Sequence, residues 1–237
     1  MIEDAHINLK VIVDKIDSSY YEEVLPEEID LILNRAYLAL IKRHYGENNI
    51  YKKGFERSQK RTDDLKNLVK TNYCEFQLLD YFENGENVYK INIDTLYEDK
   101  ELVTESDDEY MIFIKALSVI QSGVCSKTSD VKLIQQDDLT TLLSDPFNNP
   151  SKSKPAIFFE NGSIYLWSGD KTLNNFKVTY IKLPNKVNIG TYGTPKQEFE
   201  VSPHLVDEIV VDASQIIIEI IESQRVNSNT QNLQLKE

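Results

Sequence analysis

The chain has 237 residues, is 41% hydrophobic and carries a formal net charge of −13. This length and apolar content are enough for a substantial core, and they exclude wholesale disorder. The acidic balance, with a pI near 4.8, argues against a general nucleic-acid binder, because neutralising phosphates requires a cationic face.

The front of the chain has apolar residues at helical spacing. A short amphipathic helix is predicted from four apolar positions, Leu9, Ile12, Val13 and Ile16. A second helix is predicted to begin at Pro26, because proline and the two acidic residues after it suit a first helical turn. This second helix is predicted to end at Gly46.

The next stretch, GFERSQKRTDDLKNLV, combines a basic half with an apolar half. One stripe from Phe55 to Val69 indicates a third helix that packs through its C-terminal end. The ten residues before Thr62 carry one acid and five bases, Lys52, Lys53, Arg57, Lys60 and Arg61. These bases form a solvated face, or they contact an acidic face of another protein or of a second copy; DNA contact is the least favoured of these readings.

From Val88 onward the hydrophobic period changes from helical spacing to alternation. Strands are predicted over residues 88–93, 111–120 and 176–183, and a short helix over 137–144. This change of period indicates a β region inserted between helical parts.

The most specific local signal is a hairpin around Asn161-Gly162, a dipeptide typical of two-residue hairpin turns. A two-residue turn pairs Phe159 with Ile164 and, at the far end, Ala156 with Trp167. One face is then aliphatic with one phenylalanine, and the other face is aromatic, made of Phe158, Tyr165 and Trp167. We expect the hairpin to lie inside a β-sandwich or barrel, or to turn its aromatic face to another subunit.

The chain is predicted to close with one long helix that begins at Ser202-Pro203. The fold class is therefore α+β, a helical unit of N-terminal helices plus the C-terminal helix, with an inserted antiparallel β-sandwich or barrel-like region. The predicted boundaries are 1–85 for the N-terminal helical part, 86–200 for the β insertion, 201–225 for the C-terminal helix and 226–237 for a flexible tail.

The sequence offers no grouped catalytic or metal-binding residues, and no cofactor is predicted. His6, His44 and His204 are far apart in sequence, so solvated or capping roles are expected. Cys74 and Cys125 are isolated, which favours reduced, half-buried thiols. Adjacent acids such as Asp63-Asp64 point in different directions on a helix and do not predict a carboxylate pair for acid–base catalysis.

Four stretches, in this order, resemble neck and tail proteins of podovirus-type phages, especially crAss-like phages. The resemblance rests on short motifs within them: Phe55-Glu56 with Ser58-Gln59 and Asp63-Asp64-Leu65; Asp145-Pro146-Phe147-Asn148-Asn149-Pro150; Tyr180-Ile181-Lys182-Leu183-Pro184; and Pro203-His204 with Glu208-Ile209-Val210. Such proteins are broadly related to tail tubular and head-tail adaptor proteins, which are built from helices plus a β insertion.

The resemblance implies a virion structural protein without catalytic residues. It implies a homo-oligomeric, dodecameric ring between the portal and the tail, with the portal and neighbouring neck and tail rings as partners. DNA passes through without sequence-specific binding, and no membrane is involved. The protein is then made in the cytoplasm of the bacterial host and ends in the virion neck or tail.

Two other functions remain open from the residues alone. One is a soluble enzyme with a site assembled across the β insertion, and the other is a monomeric binding module that uses the aromatic hairpin face. For the ring, the candidate subunit contacts are the five bases Lys52, Lys53, Arg57, Lys60 and Arg61 and the aromatic residues Phe158, Tyr165 and Trp167.

Overall fold

The structure is a computed structural model. It describes residues 1–16, 24–45, 63–79, 87–98, 101–102, 109–122, 125–145, 147, 150, 154–160, 163–168, 173–190 and 195–220. The chain divides into two compact units, each with its own core. We call residues 1–68 with 184–237 the helical unit, and residues 69–183 the β unit.

Three long helices form the described part of the helical unit: α1 (Ile2–Ile16), α2 (Pro26–Tyr45) and α4 (Pro203–Ile220). Both α1 and α2 pack against α4, because α4 buries apolar side chains such as Leu205, Ile209 and Ala213 along its length. The predicted helix starts at Pro26 and Pro203 are confirmed, and α2 ends at the residue before Gly46.

The described residues 184–190 and 195–201 form irregular chain that lies against the helices of this unit. We call it the strap. Asn188 and Gln197 pair across it in both directions, and Gly190 between them has a φ of 87°. A side chain with a Cβ is strained at that φ, so glycine is required for this turn. Phe199 of the strap packs edge-on against the buried ring of Tyr37, at 5.5 Å between centroids.

Within the described residues, nine strands of the β unit form one sheet. The strands are β1 (Val69–Leu79), β2 (Val88–Glu98), β3 (Glu101–Leu102), β4 (Tyr110–Ser122), β5 (Cys125–Asp130), β6 (Lys132–Leu133), β7 (Ala156–Glu160), β8 (Ser163–Trp167) and β9 (Leu173–Lys182). Their order is β5-β4-β9-β1-β2-β8-β7-β6, with β3 paired to β2. A helix, α3 (Gln136–Ser144), joins β6 to the segment before β7.

The sheet curls until its two ends meet. β5 pairs with β4 at one end of the order and β6 with β7 at the other, yet Val131 alone separates β5 from β6. The Val131 N–H donates to Ala116 on the β4 side, and the next N–H, that of Lys132, donates to Pro155 on the β7 side. The predicted barrel-like β region is therefore confirmed; its pairing is antiparallel except between β6 and β7.

The hairpin prediction is confirmed in its register. Ala156 pairs with Trp167 and Phe159 with Ile164, as a two-residue turn requires. The predicted strands and the short helix are also present, as β2, β4, β9 and α3.

The prediction of one helix from Phe55 to Val69 is wrong at its end. Residues 63–65 are helical, but Val69 is the first residue of β1, which lies between β9 and β2. Pairing on both sides outweighs the weak helical stripe. The compact β unit spans residues 69–183, and the predicted domain bounds stay a prediction. The predicted flexible tail lies outside the described residues.

Candidate functional site

The basic cluster predicted as a subunit contact is Lys52, Lys53, Arg57, Lys60 and Arg61. It lies outside the described residues, but the residues on either side of it are described. His44 Nδ1 and Asp64 Oδ2 are 3.8 Å apart. The two ends of the intervening chain therefore come together.

The aromatic face of the hairpin packs within the chain's own β unit. Phe158 stacks on Tyr165 at 5.2 Å between centroids and also contacts the ring of Trp167 at 5.7 Å. Leu139 of α3 packs on this cluster, and Phe158 and Trp167 are only 6% and 3% exposed. The hairpin lies in the barrel-like sheet, and its aromatic face forms a cluster separate from the barrel core, with Leu139 of α3 packed against it. Subunit contact at this face stays a prediction that depends on Tyr165, which is half-buried.

The carboxylate of Asp30 on α2 contacts both α1 and the strap. One of its oxygens lies 2.7 Å from His6 Nε2 on α1, and the other accepts a hydrogen bond from the Ile189 N–H of the strap at 3.2 Å. Beside it, Asn34 accepts from the Val187 N–H at 2.8 Å and donates to the Val187 carbonyl at 2.9 Å. This group fastens α1, α2 and the strap to one another.

A second buried carboxylate, Asp64, lies between two imidazoles. His204 Nε2, at the start of α4, is 2.8 Å from one oxygen, and His44 Nδ1, at the end of α2, is 3.8 Å from the other. Asp64 is only 3% exposed, because the turn that carries it lies beneath both helix ends.

The expectation of solvated histidines is therefore wrong for His6, which is buried against Asp30. The sequence places these histidines and aspartates far apart, and only the packing of the helices brings them together. Among the described residues, no group of three or more histidine, cysteine, aspartate or glutamate side chains is arranged to hold a metal ion.

The strap also reaches the N-terminus of α1 through an exposed charge cluster. Lys196 Nζ is 2.8 Å from Glu3 and 2.9 Å from Glu198, and the Ile2 N–H donates to Glu198 at 2.8 Å. Hydrogen bonds to Glu3 and then Glu198 raise the pKa of Lys196, and the hydrogen bond from Lys196 lowers that of Glu198. At neutral pH Lys196 and Glu198 are therefore both charged.

Several large apolar side chains remain exposed on the described surface. Ile7 and Val11 lie one turn apart on the solvent face of α1, at 61% and 44% exposure, and Leu31 on α2 is 69% exposed. Phe147, in the loop after α3, is 91% exposed, and its N–H donates to the Asp145 carboxylate. Single exposed apolar residues are ordinary on a monomer, and several in one unit are typical of a protein with partners.

The outward side of α4 is acidic. Asp207, Glu208 and Glu219 are exposed and flank the partly exposed Val211. The helix contains no lysine or arginine. Its fourth acid, Asp212, pairs with Arg43 of α2 at 2.9 Å, whereas the other three form no ion pair with a described residue.

The thiol of Cys74 is buried in the barrel core, and burial raises its pKa from 9.0 to about 12. Because the thiolate is the reactive form, we expect Cys74 in a Cys125→Ser variant to react with a thiol reagent at least about a hundredfold more slowly when folded than in urea. A Cys74→Ser variant, which leaves only Cys125, is the control. If Cys74 reacted at the same rate with and without urea, the result would contradict its burial.

The raised pKa of Cys74 also predicts a pH dependence of stability. The thiol of the unfolded chain ionises first as the pH rises, so between pH 9 and about 12 the free energy of unfolding should fall.

No helix among the described residues is long and apolar enough to span a membrane.

A family model described as "Phage tail ring protein 3/4" matches residues 8–192 of the chain. The matched range contains most of α1, all of α2, the whole β unit and the first part of the strap, and it ends before α4. None of the curated proteins compared with the chain matches it.

Proposed function

The chain belongs to the phage tail ring protein 3/4 family, and we propose that its copies form a closed ring in the virion neck or tail, between the portal and the tail and around the DNA conduit. As a member of this family it is a structural tail component that assembles with other tail components. We further propose that the ring is dodecameric and that the protein acts through assembly rather than catalysis.

The family match over residues 8–192 is the observation that carries this proposal. The net charge of −13 supports it, because an acidic lumen repels DNA and leaves it mobile. The exposed apolar residues of α1 and α2 support it as well, since a ring subunit needs surfaces that neighbours cover. Copies in a closed ring meet through two different surfaces on each copy, and the five bases from Lys52 to Arg61 are the proposed candidate for one of them.

The purified full-length chain is expected to form a particle of one discrete, ring-sized mass in native mass spectrometry. Electron microscopy of wild-type virions, with an antibody fragment against the chain, should place the label at the neck or tail. A chain that stays monomeric at every concentration tested and is absent from purified tailed particles would sink the proposal.

A further inference from the structure

The aromatic face of the hairpin lies on the outside of the barrel. Phe158, Tyr165 and Trp167 form a cluster with Val88 that is separate from the barrel core, because alternate side chains of a strand point to opposite faces of a sheet. Phe158 and Trp167 are nonetheless only 6% and 3% exposed. Leu139 of α3 packs on this cluster from outside the sheet, so α3 covers part of the face.

The helix that forms this cover is too short to be stable by itself. It has nine residues, and isolated helices shorter than about 12–15 residues are marginal in water. Gln135, the residue before it, makes no capping hydrogen bond through its side chain. Thr140 and Thr141, in its middle, have low helix propensity. α3 therefore depends for its stability on the surface against which it packs.

The described contacts hold the chain before α3 more firmly than α3 itself. Ile134 is buried, and its N–H donates to the Ile157 carbonyl of β7 at 2.8 Å. In α3, by contrast, Leu139 is only half-buried, and the Gln136 side chain donates an exposed hydrogen bond to the Phe159 carbonyl at 3.2 Å. Segments with few buried apolar contacts open at a lower free energy than core strands do.

We propose that α3 is a displaceable cover, which undocks from the aromatic face and unfolds while the barrel stays folded. The barrel core is not disturbed, because its side chains lie on the opposite face of the same strands. Undocking exposes Phe158 and Trp167. The inference rests on the β unit alone, and it sets a condition for the predicted subunit contact at this face: these two rings reach a neighbouring copy only after α3 has left.

Two pairs of substitutions shift the opening of α3 without touching the aromatic face. The alanine variant carries Thr140→Ala and Thr141→Ala, and the glycine variant carries Thr140→Gly and Thr141→Gly; both positions are exposed. Because glycine is less favourable than alanine inside a helix, the α3 amides should exchange at least about tenfold faster in the glycine variant. Hydrogen-exchange mass spectrometry measures these rates. The amides of β8 and β9 in the same samples are the internal control and should exchange equally in both variants.

A third variant reports on the aromatic face itself. Leu139→Ala removes a side chain that packs on the cluster, so acrylamide should quench the fluorescence of Trp167 at least about twofold more strongly than in the unchanged chain. Trp167 is the only tryptophan, and retained protection of the β9 amides shows that the barrel is folded. The alanine variant is the matched control, and its quenching should not exceed that of the unchanged chain.

Either of two results would overturn the inference. If the α3 amides exchange no faster than those of β8 and β9, α3 leaves only when the whole β unit unfolds. If the α3 amides exchange fast but Leu139→Ala leaves Trp167 as protected from acrylamide as before, α3 is not the cover of this face. Should Leu139→Ala not fold, the same quenching comparison between the glycine and alanine variants decides that second point. A chain that stays monomeric would overturn the proposed ring and leave this inference standing.

Discussion

Replacing Asp30 with alanine is expected to lower the free energy of unfolding of the helical unit by at least about 2 kcal/mol, because each polar group left without its hydrogen-bond partner costs about 1–3 kcal/mol. The change leaves His6 buried without its carboxylate and leaves the Ile189 N–H of the strap without its acceptor. Urea unfolding followed by far-ultraviolet circular dichroism, to which the helices contribute most, measures the loss.

Three comparisons separate this network from a general effect of mutating α2. Glu27→Ala, at an exposed position in the first turn of the same helix, should cost no more than about 1 kcal/mol. A double-mutant cycle of His6→Ala and Asp30→Ala should give a coupling energy of about 0.5–3 kcal/mol. Trp167, the only tryptophan and a residue of the β unit, reports the other unit by fluorescence. A loss at Asp30 no larger than that at Glu27 would contradict the bridging role.

The sequence predicted those elements whose conformation depends on only a few neighbouring residues. The Asn161-Gly162 dipeptide predicted the register of the hairpin, since a two-residue turn leaves only one pairing. Pro26 and Pro203 predicted two helix starts because proline suits the first helical position. These features depend on backbone preferences that neighbouring residues determine by themselves.

The features that the sequence did not predict depend on contacts between distant residues. β1 has neither strict alternation nor a breaker before it, and its pairing with β9 and β2 makes it a strand. Asn72 in the middle of β1 is buried and donates to the Tyr180 hydroxyl of β9, so a polar residue occupies a core position. Likewise, Asp64 meets His204 across 140 positions, and no local pattern marks that pair.

The candidate surfaces divide in the same way. The aromatic residues Phe158 and Trp167 were predicted from a local pattern, which cannot tell a face covered by another subunit from one covered by α3. Charge patterning indicated the basic segment 52–61, whereas the exposed acids of α4 were recognised only from the structure, in which Asp212 pairs with Arg43 while Asp207 and Glu208 are exposed. The sequence therefore indicates which residues a candidate surface contains, and the structure shows which of those residues are exposed.

Truncating Phe176 to alanine is expected to lower the free energy of unfolding of the β unit by about 3–5 kcal/mol, through lost burial and the cavity left behind. Phe176 is fully buried on β9, which pairs with both β1 and β4, and it packs with Ile164 and Val178 in the barrel core. Because the sheet closes on itself, strands on every side of the cavity are held by their neighbours and cannot collapse into it. Urea unfolding followed by Trp167 fluorescence measures this unit directly.

The comparison variants make the source of that loss identifiable. Phe176→Leu keeps most of the side-chain volume and should cost clearly less than alanine, because the cavity is smaller. Asn174→Ala, at an exposed position of the same strand, should change the free energy of unfolding by no more than about 0.5 kcal/mol. If Phe176→Ala costs as little as Asn174→Ala, the phenyl side chain of Phe176 does not lie in a closed core, and the barrel-like closure through Val131 is wrong. A large loss of unfolding free energy for Phe176→Ala, with a smaller loss for Phe176→Leu, would instead show that packing inside the closed barrel stabilises the β unit.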